Sequence, residues 1–351
     1  MRSKQNKVRV ATIGSFGHWA CVLDEIAGMN AIEVVAAARA VYGESLDCIA
    51  AHPVVPKDVP IFDDYTLMLA AVRPDVVVLS CRLDRIPSIA MDVADAGCDL
   101  ICEKPLALNA PILRKLYQAV SANDVRLMAM LSMRADPVFQ KARQLCQSGA
   151  IGEVVMVNAR KSYKYGNRPG WFGVRDMYGG TMLWVGIHAL DMIYFITGRT
   201  FVSAAALQRN FAHPDRPDCE DCVAAILGLD NGGAATVSVD LLRPEAAATH
   251  GDDWIRVVGT AGVIEACSND HVVRLLRDGG EPVTIAPDPA RPIYRPFFLE
   301  EGRGDGSMCL EDPFLLTHAC LCARDAADTG LVERIPEMPW SKSAALRTGA
   351  S

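Results

Sequence analysis

Asp99-Leu100-Ile101-Cys102-Glu103-Lys104-Pro105-Leu106 is the stretch on which the fold of this chain turns. Leu100, Ile101 and Cys102 follow Ala96-Gly97 as a short apolar run, the pattern of a parallel strand buried on both faces. Open α/β sheets bind ligands at the carboxyl ends of their strands, and here that end carries a lysine. Pro105 removes a backbone donor and fixes φ, so the turn that presents Lys104 is stiff. The tripeptide alone also fits a surface turn with a solvated lysine, and the surrounding sequence has to decide between the two.

Working outward, Arg73-Pro74-Asp75-Val76-Val77-Val78-Leu79-Ser80 reads as the preceding strand, and a helical stretch from about Pro87 to Ala96 leads to the lysine strand. The first seventy residues keep the same rhythm: strand, glycine turn, helix to about Ala27, strand. The expected strands are 8–14, 32–38, 75–81, 99–102 and 125–131, with a short one near Pro60-Ile61-Phe62. A helix from Ala110 to Val120 has Asn109 as its N-cap and Pro111 in its first turn. From about Asp136 the character changes. A helix to Cys146 is followed by strands at 152–161, 201–209, 222–229, 234–242, 254–259, 271–277 and 282–286. Five prolines from Pro282 to Pro296, then Gly302, Gly304 and Gly306, mark an irregular stretch before a last helix near Asp312 to Ala327. The expectation is two domains: 1–130, a doubly wound parallel α/β sheet, and 131–351, an α+β domain with a mostly antiparallel open sheet. One face of that sheet would pack on helices and the other on a partner subunit.

Bulk composition sets the limits. A chain of 351 residues is long enough for two cores. Half of it is hydrophobic and 22% is charged, an ordinary globular balance. The net charge of −7 argues against a nucleic-acid surface. No apolar run approaches the roughly 18 residues that span a membrane. The basic start, Met1-Arg2-Ser3-Lys4, leads into a short first strand rather than a signal peptide, so the expected location is the cytoplasm. The twelve cysteines then read as reduced thiols, most of them inside apolar stretches. Cys219-Glu220-Asp221-Cys222 has C-x-x-C spacing without a second pair or a histidine at finger distance. It reads as the entry to a strand, with zinc or redox use as the alternative; no metal is expected.

Further on, Gly179-Gly180 precedes an apolar helix carrying His188 and Asp191. The combination resembles the glucose–fructose oxidoreductase/inositol dehydrogenase/MocA family, written Gfo/Idh/MocA, from about Lys7 to about Gly330. Asp136-Pro137-Val138-Phe139, the segment Ser148 to Val154, and Val258-Gly259-Thr260-Ala261-Gly262 support it by their order and spacing. The resemblance implies an N-terminal Rossmann domain binding NAD or NADP, a C-terminal substrate domain, and a homodimer or homotetramer built through the C-terminal sheet.

The first turn, Gly14-Ser15-Phe16-Gly17-His18-Trp19-Ala20, is the cofactor candidate. In a dinucleotide turn the glycines allow the bend, the approach of the pyrophosphate and close helix packing. Here Phe16 and Trp19 stand at the second and third glycine positions, although the helix amides behind them can still meet a phosphate. At the end of the second strand the family carries an acid for the ribose, and this chain has Arg39. A guanidinium would pair with a 2′-phosphate and stack on adenine, which favours NADP over NAD; a solvated arginine is the alternative. Ser80, Glu103 and Lys104 complete the cofactor set. Where relatives show a Thr-Pro pair and then a histidine, this chain has Arg82 for the proline and Ile86 for the histidine.

The stretch from Gly180 to Gly198 reads as one helix. Thr181, Trp184, His188 and Asp191, spaced 3, 4 and 3 apart, share a face. Alone, His188 also fits a core histidine satisfied by Asp191 or a backbone carbonyl. The resemblance assigns His188 to a substrate hydroxyl and places a carboxylate one turn earlier, where this chain has Trp184. Arg134, Lys161, Tyr163, Tyr165, Arg168, Trp171 and Phe172 lie where relatives line the sugar pocket. The expected substrate set is Arg134, Tyr163, Trp171, Trp184, His188 and Asp191.

The expected function is NAD(P)-dependent hydride transfer at a hydroxyl or carbonyl carbon of a sugar, cyclitol or related polyol, with Lys104 and His188 handling the hydroxyl proton. Two alternatives stay open. One is a redox-assisted glycoside hydrolase or lyase using bound NAD. The other is a non-catalytic nucleotide- or ligand-binding relative, to which Phe16, Ile86 and Trp184 point together.

Overall fold

The computed structural model describes residues 7–299 and 310–339, so the Gly302, Gly304 and Gly306 stretch lies outside the described residues. The chain divides into two compact units. One is built from residues 7–132 with 292–299 and 310–314, the other from 133–291 with 315–339. The first unit thus includes a segment that the sequence reading left with the second. Its anchor is Glu25 of the first helix, whose carboxylate accepts the N–H groups of Ile293 (3.0 Å), Tyr294 (2.7 Å) and Arg295 (2.9 Å).

Among the described residues, the first unit holds six parallel strands. They are β1 (Val8–Ile13), β2 (Ile32–Ala38), β3 (Ile61–Phe62), β4 (Val76–Leu79), β5 (Asp99–Cys102) and β6 (Leu127–Ala129). Their order is β3-β2-β1-β4-β5-β6. Strand order reverses between β1 and β4, and in such sheets ligands bind outside the carboxyl ends at that reversal. The strands are continuous apolar runs because helices cover both faces: every residue of β4 is buried. Asn109 caps the Ala110–Ala122 helix as its sequence implies, its Oδ1 accepting the Ile112 N–H at 3.0 Å. Asp64 and Asp136 cap the Tyr65–Val72 and Pro137–Gln147 helices in the same way.

The second unit is a nine-stranded sheet with helices on one face. Its strands are β7 (Val154–Tyr163), β8 (Phe201–Arg209), β9 (Cys222–Leu229), β10 (Ala234–Asp240), β11 (Gly251–Gly259), β12 (Gly262–Cys267), β13 (Val272–Arg277), β14 (Val283–Ile285) and β15 (Glu333–Arg334). The order is β14-β13-β12-β11-β7-β10-β9-β8-β15, antiparallel throughout except between β7 and β10. β12 was not foreseen; Thr260-Ala261 makes the tight connection from β11 to it.

Helical structure from Arg175 to Thr197 is long and apolar enough to cross a membrane, which revises the expectation that no segment is. However, 89% of its 18-residue apolar window is buried inside the protein, and this accounts for its composition. Its first part also departs from the sequence reading. Met182–Gly186 forms a π-helical turn, and regular α-helix runs only from Ile187 to Thr197. A π turn inserts extra backbone per turn, so the face shared by Thr181, Trp184 and His188 in an unbroken α-helix is rotated apart. Such turns recur at functional sites.

Candidate active site

In the first unit the turn after β1 is tied to the ends of β4 and β5. Gly14 has φ +79° and Gly17 φ +106°. A side chain at Gly14 would run into the Ser80 carbonyl oxygen, and one at Gly17 into the Glu103 carboxylate. Both glycines are therefore required twice, by conformation and by space. The Phe16 N–H donates to Ser80 O at 2.9 Å, and the Ser80 hydroxyl donates to the Phe16 carbonyl. Ser80 is fully buried and holds the turn in place.

Glu103 is the centre of this arrangement. Its Oε2 accepts the His18 N–H at 2.5 Å and faces His18 Nδ1 at 2.9 Å, while Oε1 accepts the Lys104 N–H at 2.9 Å. Burial by itself would raise this carboxyl. The His18 ring and N–H, together with Lys104, outweigh burial and hold it below the ordinary value, so it stays ionised. The glycine turn, the first helix (Trp19–Ile26) and the lysine strand are thus clamped by one buried anion. Lys104, 1% exposed, sits at the carboxyl end of β5, where the sequence places it, and its peptide bond to Pro105 is cis. Gly14, Ser15, Phe16, Gly17, Ser80, Glu103 and Lys104 are brought together.

Arg39 is bonded within the first unit. Its Nε donates to Asp63 Oδ1 at 2.8 Å and its Nη1 to the Glu44 carbonyl. Glu44, which the sequence reading passed over, bonds both the Ser15 N–H and the Ala40 N–H. Only its place in the short loop after β2 could have drawn attention to it. Ile86 is fully buried as the first residue of the Ile86–Asp95 helix, and Arg82 pairs with Asp84 at 2.6 Å.

In the second unit Arg134 and Asp191, both expected to meet substrate, bond each other. Arg134 Nε and Nη2 lie 2.8 and 2.6 Å from Asp191 Oδ1, with both side chains buried. The guanidinium also lies 5.3 Å from the Phe195 ring centre. His188 is 2% exposed and is the second residue after the π turn. Trp184, at the position where the family pattern has an acid, is packed edge-on against Phe172 at 6.1 Å. Trp171 stacks on Phe172 at 4.4 Å, and Tyr178 meets the same ring at 4.5 Å. Trp184 is therefore part of an aromatic core, which fits an indole where a carboxylate would be costly.

Lys161 and Asp253 stand opposite each other on β7 and β11, with Nζ 2.5 Å from Oδ1, and Tyr163 lies 4.8 Å from the same ammonium. Burial would lower the lysine, but Tyr163 and Asp253 outweigh it and raise it; burial raises Tyr163 although Lys161 opposes this. The ammonium is thus held between Asp253 and Tyr163. Cys219 is buried and Cys222 half-buried, both as free thiols. Among the described residues no three metal-binding side chains cluster.

The fold class is that of proteins pairing a Rossmann sheet with an open α+β sheet. Sequence comparison narrows it. The family model described as "Oxidoreductase family, NAD-binding Rossmann fold" matches residues 9–131, and that of the GFO/IDH/MocA C-terminal domain matches residues 139–265. The chain belongs to the Gfo/Idh/MocA family. Inositol 2-dehydrogenase of Rhizobium meliloti is 32% identical over 240 residues, covering 66% of each chain. The first three curated relatives are matched over 60 to 66% of their length, under two thirds. A Thermotoga maritima protein described as an oxidoreductase has a solved structure that is 32% identical, with TM-score 0.86, covering 93% of this chain and 99% of its own. A levoglucosan dehydrogenase solved with NADH and L-sorbose shares the fold at TM-score 0.81 and 17% identity, covering 95% of this chain and all of its own.

Proposed function

We propose that this protein is an NAD(P)-dependent oxidoreductase acting on a CH–OH group of a sugar, cyclitol or related polyol. The observation that carries the reading is Lys104: a buried lysine at the carboxyl end of a parallel strand, tied through Glu103 to the glycine turn at the sheet's switch point. Gly14 and Gly17 give the turn a bend that other residues would strain, and its Ser15, Phe16 and His18 N–H groups are bonded to Glu44, Ser80 and Glu103. Gly14, Ser15, Phe16 and Gly17 would hold the cofactor. The nicotinamide, when bound, accepts or returns the hydride of the substrate carbon. Lys104 handles the proton of the substrate hydroxyl; a positioned acid–base group is worth about 10²–10⁴ in rate.

The exposed face of the nine-stranded sheet supports the oligomer expected from sequence. Leu207 and Ile226 are 71% and 59% exposed on β8 and β9, beside a groove of about 680 Å³ that crosses to Trp254 on β11. An apolar sheet face of this kind suits a second copy of the chain, in a dimer or tetramer.

The test is titration of the full chain with NADH and NADPH by nicotinamide fluorescence, then absorbance assays across cyclitols, aldoses and polyols. Absence of binding at high micromolar concentration of both would overturn the reading. A binding-only relative, to which Trp184 and Ile86 point, would show cofactor binding with no hydride transfer across the panel.

A further inference from the structure

From residue 160 to residue 175 the chain carries Arg160, Lys161, Lys164, Arg168 and Arg175 and no acid, although its net charge is −7. All but one of these cations are engaged within the second unit. Arg160 meets Asp252 at 2.9 Å, and Lys161 meets Asp253 at 2.5 Å. Lys164 Nζ donates to the Glu245 carbonyl at 2.7 Å, and Arg175 pairs with both Glu220 and Asp328. Arg168 is the exception. Among the described residues it has neither an ion pair nor a hydrogen bond, and its Nε is shielded from solvent without an acceptor. A shielded donor left unmatched is costly, so the group calls for an acceptor from outside the chain.

The guanidinium has a built seat. It lies 5.4 Å from the Tyr165 ring centre and 5.2 Å from that of Phe172. Tyr165 is stacked on His213 at 3.6 Å, and the fully buried Asp221 holds His213 Nδ1 at 3.0 Å. Phe172 is buried against Trp171, Tyr178 and Trp184. Ring faces attract the positive charge but supply no lone pair for its five N–H donors. Burial raises Tyr165, Tyr178 and Cys219 while the charge of Arg168 pulls each of them down; they stay neutral, so none supplies the missing anion. A guanidinium held on two fixed rings with its donors open is prepared for a planar anion, whose two oxygens match its fork. One cation balances the single charge of a carboxylate and leaves a phosphate dianion half matched.

We infer that Arg168 is a specificity-determining residue that binds a carboxylate of the substrate, so the protein takes a sugar acid, a uronate or an aldonate, in preference to a neutral sugar. Arg168 lies between Tyr163 and Phe172, on the segment that the family resemblance sets at the sugar pocket. The inference rests on the oxidoreductase reading above and narrows its substrate class.

The experiment is isothermal titration calorimetry of the full chain, with and without NADH. The probes are D-glucuronate, D-galacturonate and D-gluconate, set against D-glucose, D-galactose and D-glucitol, with D-glucose 6-phosphate as the phosphate arm. At least one acid should bind wild type about tenfold or more tighter than its neutral counterpart, the worth of a charge-assisted pair. Arg168→Met should abolish that preference, Arg168→Lys should keep part of it, and Lys164→Met should leave it intact. Added sodium chloride should weaken the acid and not the neutral sugar. No acid binding tighter than its neutral counterpart, or a preference that survives in Arg168→Met, would overturn the inference. So would D-glucose 6-phosphate binding tighter than every carboxylate. NADH binding alongside either result would leave the oxidoreductase reading standing; a carboxylate preference without NADH binding would remove that reading and keep the anion site. If Arg168→Met fails to fold, the wild-type panel and Arg168→Lys decide.

Discussion

Replacing Glu103 by glutamine keeps the shape of the clamp and removes its charge. Three donors converge on the carboxylate: the His18 N–H, His18 Nδ1 and the Lys104 N–H, at 2.5, 2.9 and 2.9 Å. An amide oxygen can accept two of them and turns its NH₂ group toward the third. One charge-assisted bond of about 1.5–3 kcal/mol is lost, and a buried donor left facing a donor costs about 1 kcal/mol more. The expected destabilisation of the first unit is about 3 kcal/mol at pH 7, read from urea unfolding followed by tryptophan fluorescence. The pH dependence has a definite sign. The native carboxyl lies below its ordinary value, so its contribution is fully present above the unfolded carboxyl's pKa of about 4.3 and is lost as pH falls through the lower native value. The gap between wild type and Glu103→Gln should hold steady from pH 7 to about 5 and shrink below about 4. A gap under 1 kcal/mol at pH 7, or one that closes already above pH 5, would refute the clamp.

Lys104→Met should lower turnover by about 10²–10⁴ while leaving the NADH dissociation constant within a few-fold of wild type; near-normal turnover would show that Lys104 is only part of a stiff turn. Arg134→Met should cost about 3–5 kcal/mol because Asp191 is left charged and buried, and Arg134→Met with Asp191→Leu should recover most of that in thermal unfolding. Trp184→Asp, which restores the family acid, should destabilise by about 3–5 kcal/mol through loss of packing on Phe172; a gain in polyol turnover at unchanged stability would contradict the aromatic-core assignment. Gly17→Ala should abolish nucleotide binding in fluorescence titration, since its Cβ collides with Glu103 and its φ is disfavoured.

What the residues determine alone is what depends on near neighbours in the chain. Val76 to Leu79 and Leu100 to Cys102 are buried parallel strands because an unbroken apolar run has no other stable place to go. The caps at Asn109 and Asp136 are equally local, as is the placing of Lys104 two residues past a strand. The family motifs were legible for the same reason: they are short and read in order. Tertiary structure decided what depends on partners far apart in sequence. Glu103 meets His18 across 85 residues, Arg134 meets Asp191 across 57, and Ser15 meets Glu44 across 29. No periodicity encodes such pairings, because each is set by where two strand ends or helices come to lie. The π turn at Met182–Gly186 broke the expected common face for a related reason: 3.6-residue spacing assumes regular backbone, and packing in the second unit overrides it. Arg39 and Glu44 show the limit most plainly. Side-chain identity at a strand end suggested a phosphate partner, but the folded loop turns the guanidinium onto Asp63 and the Glu44 carbonyl and brings a carboxylate to the turn instead.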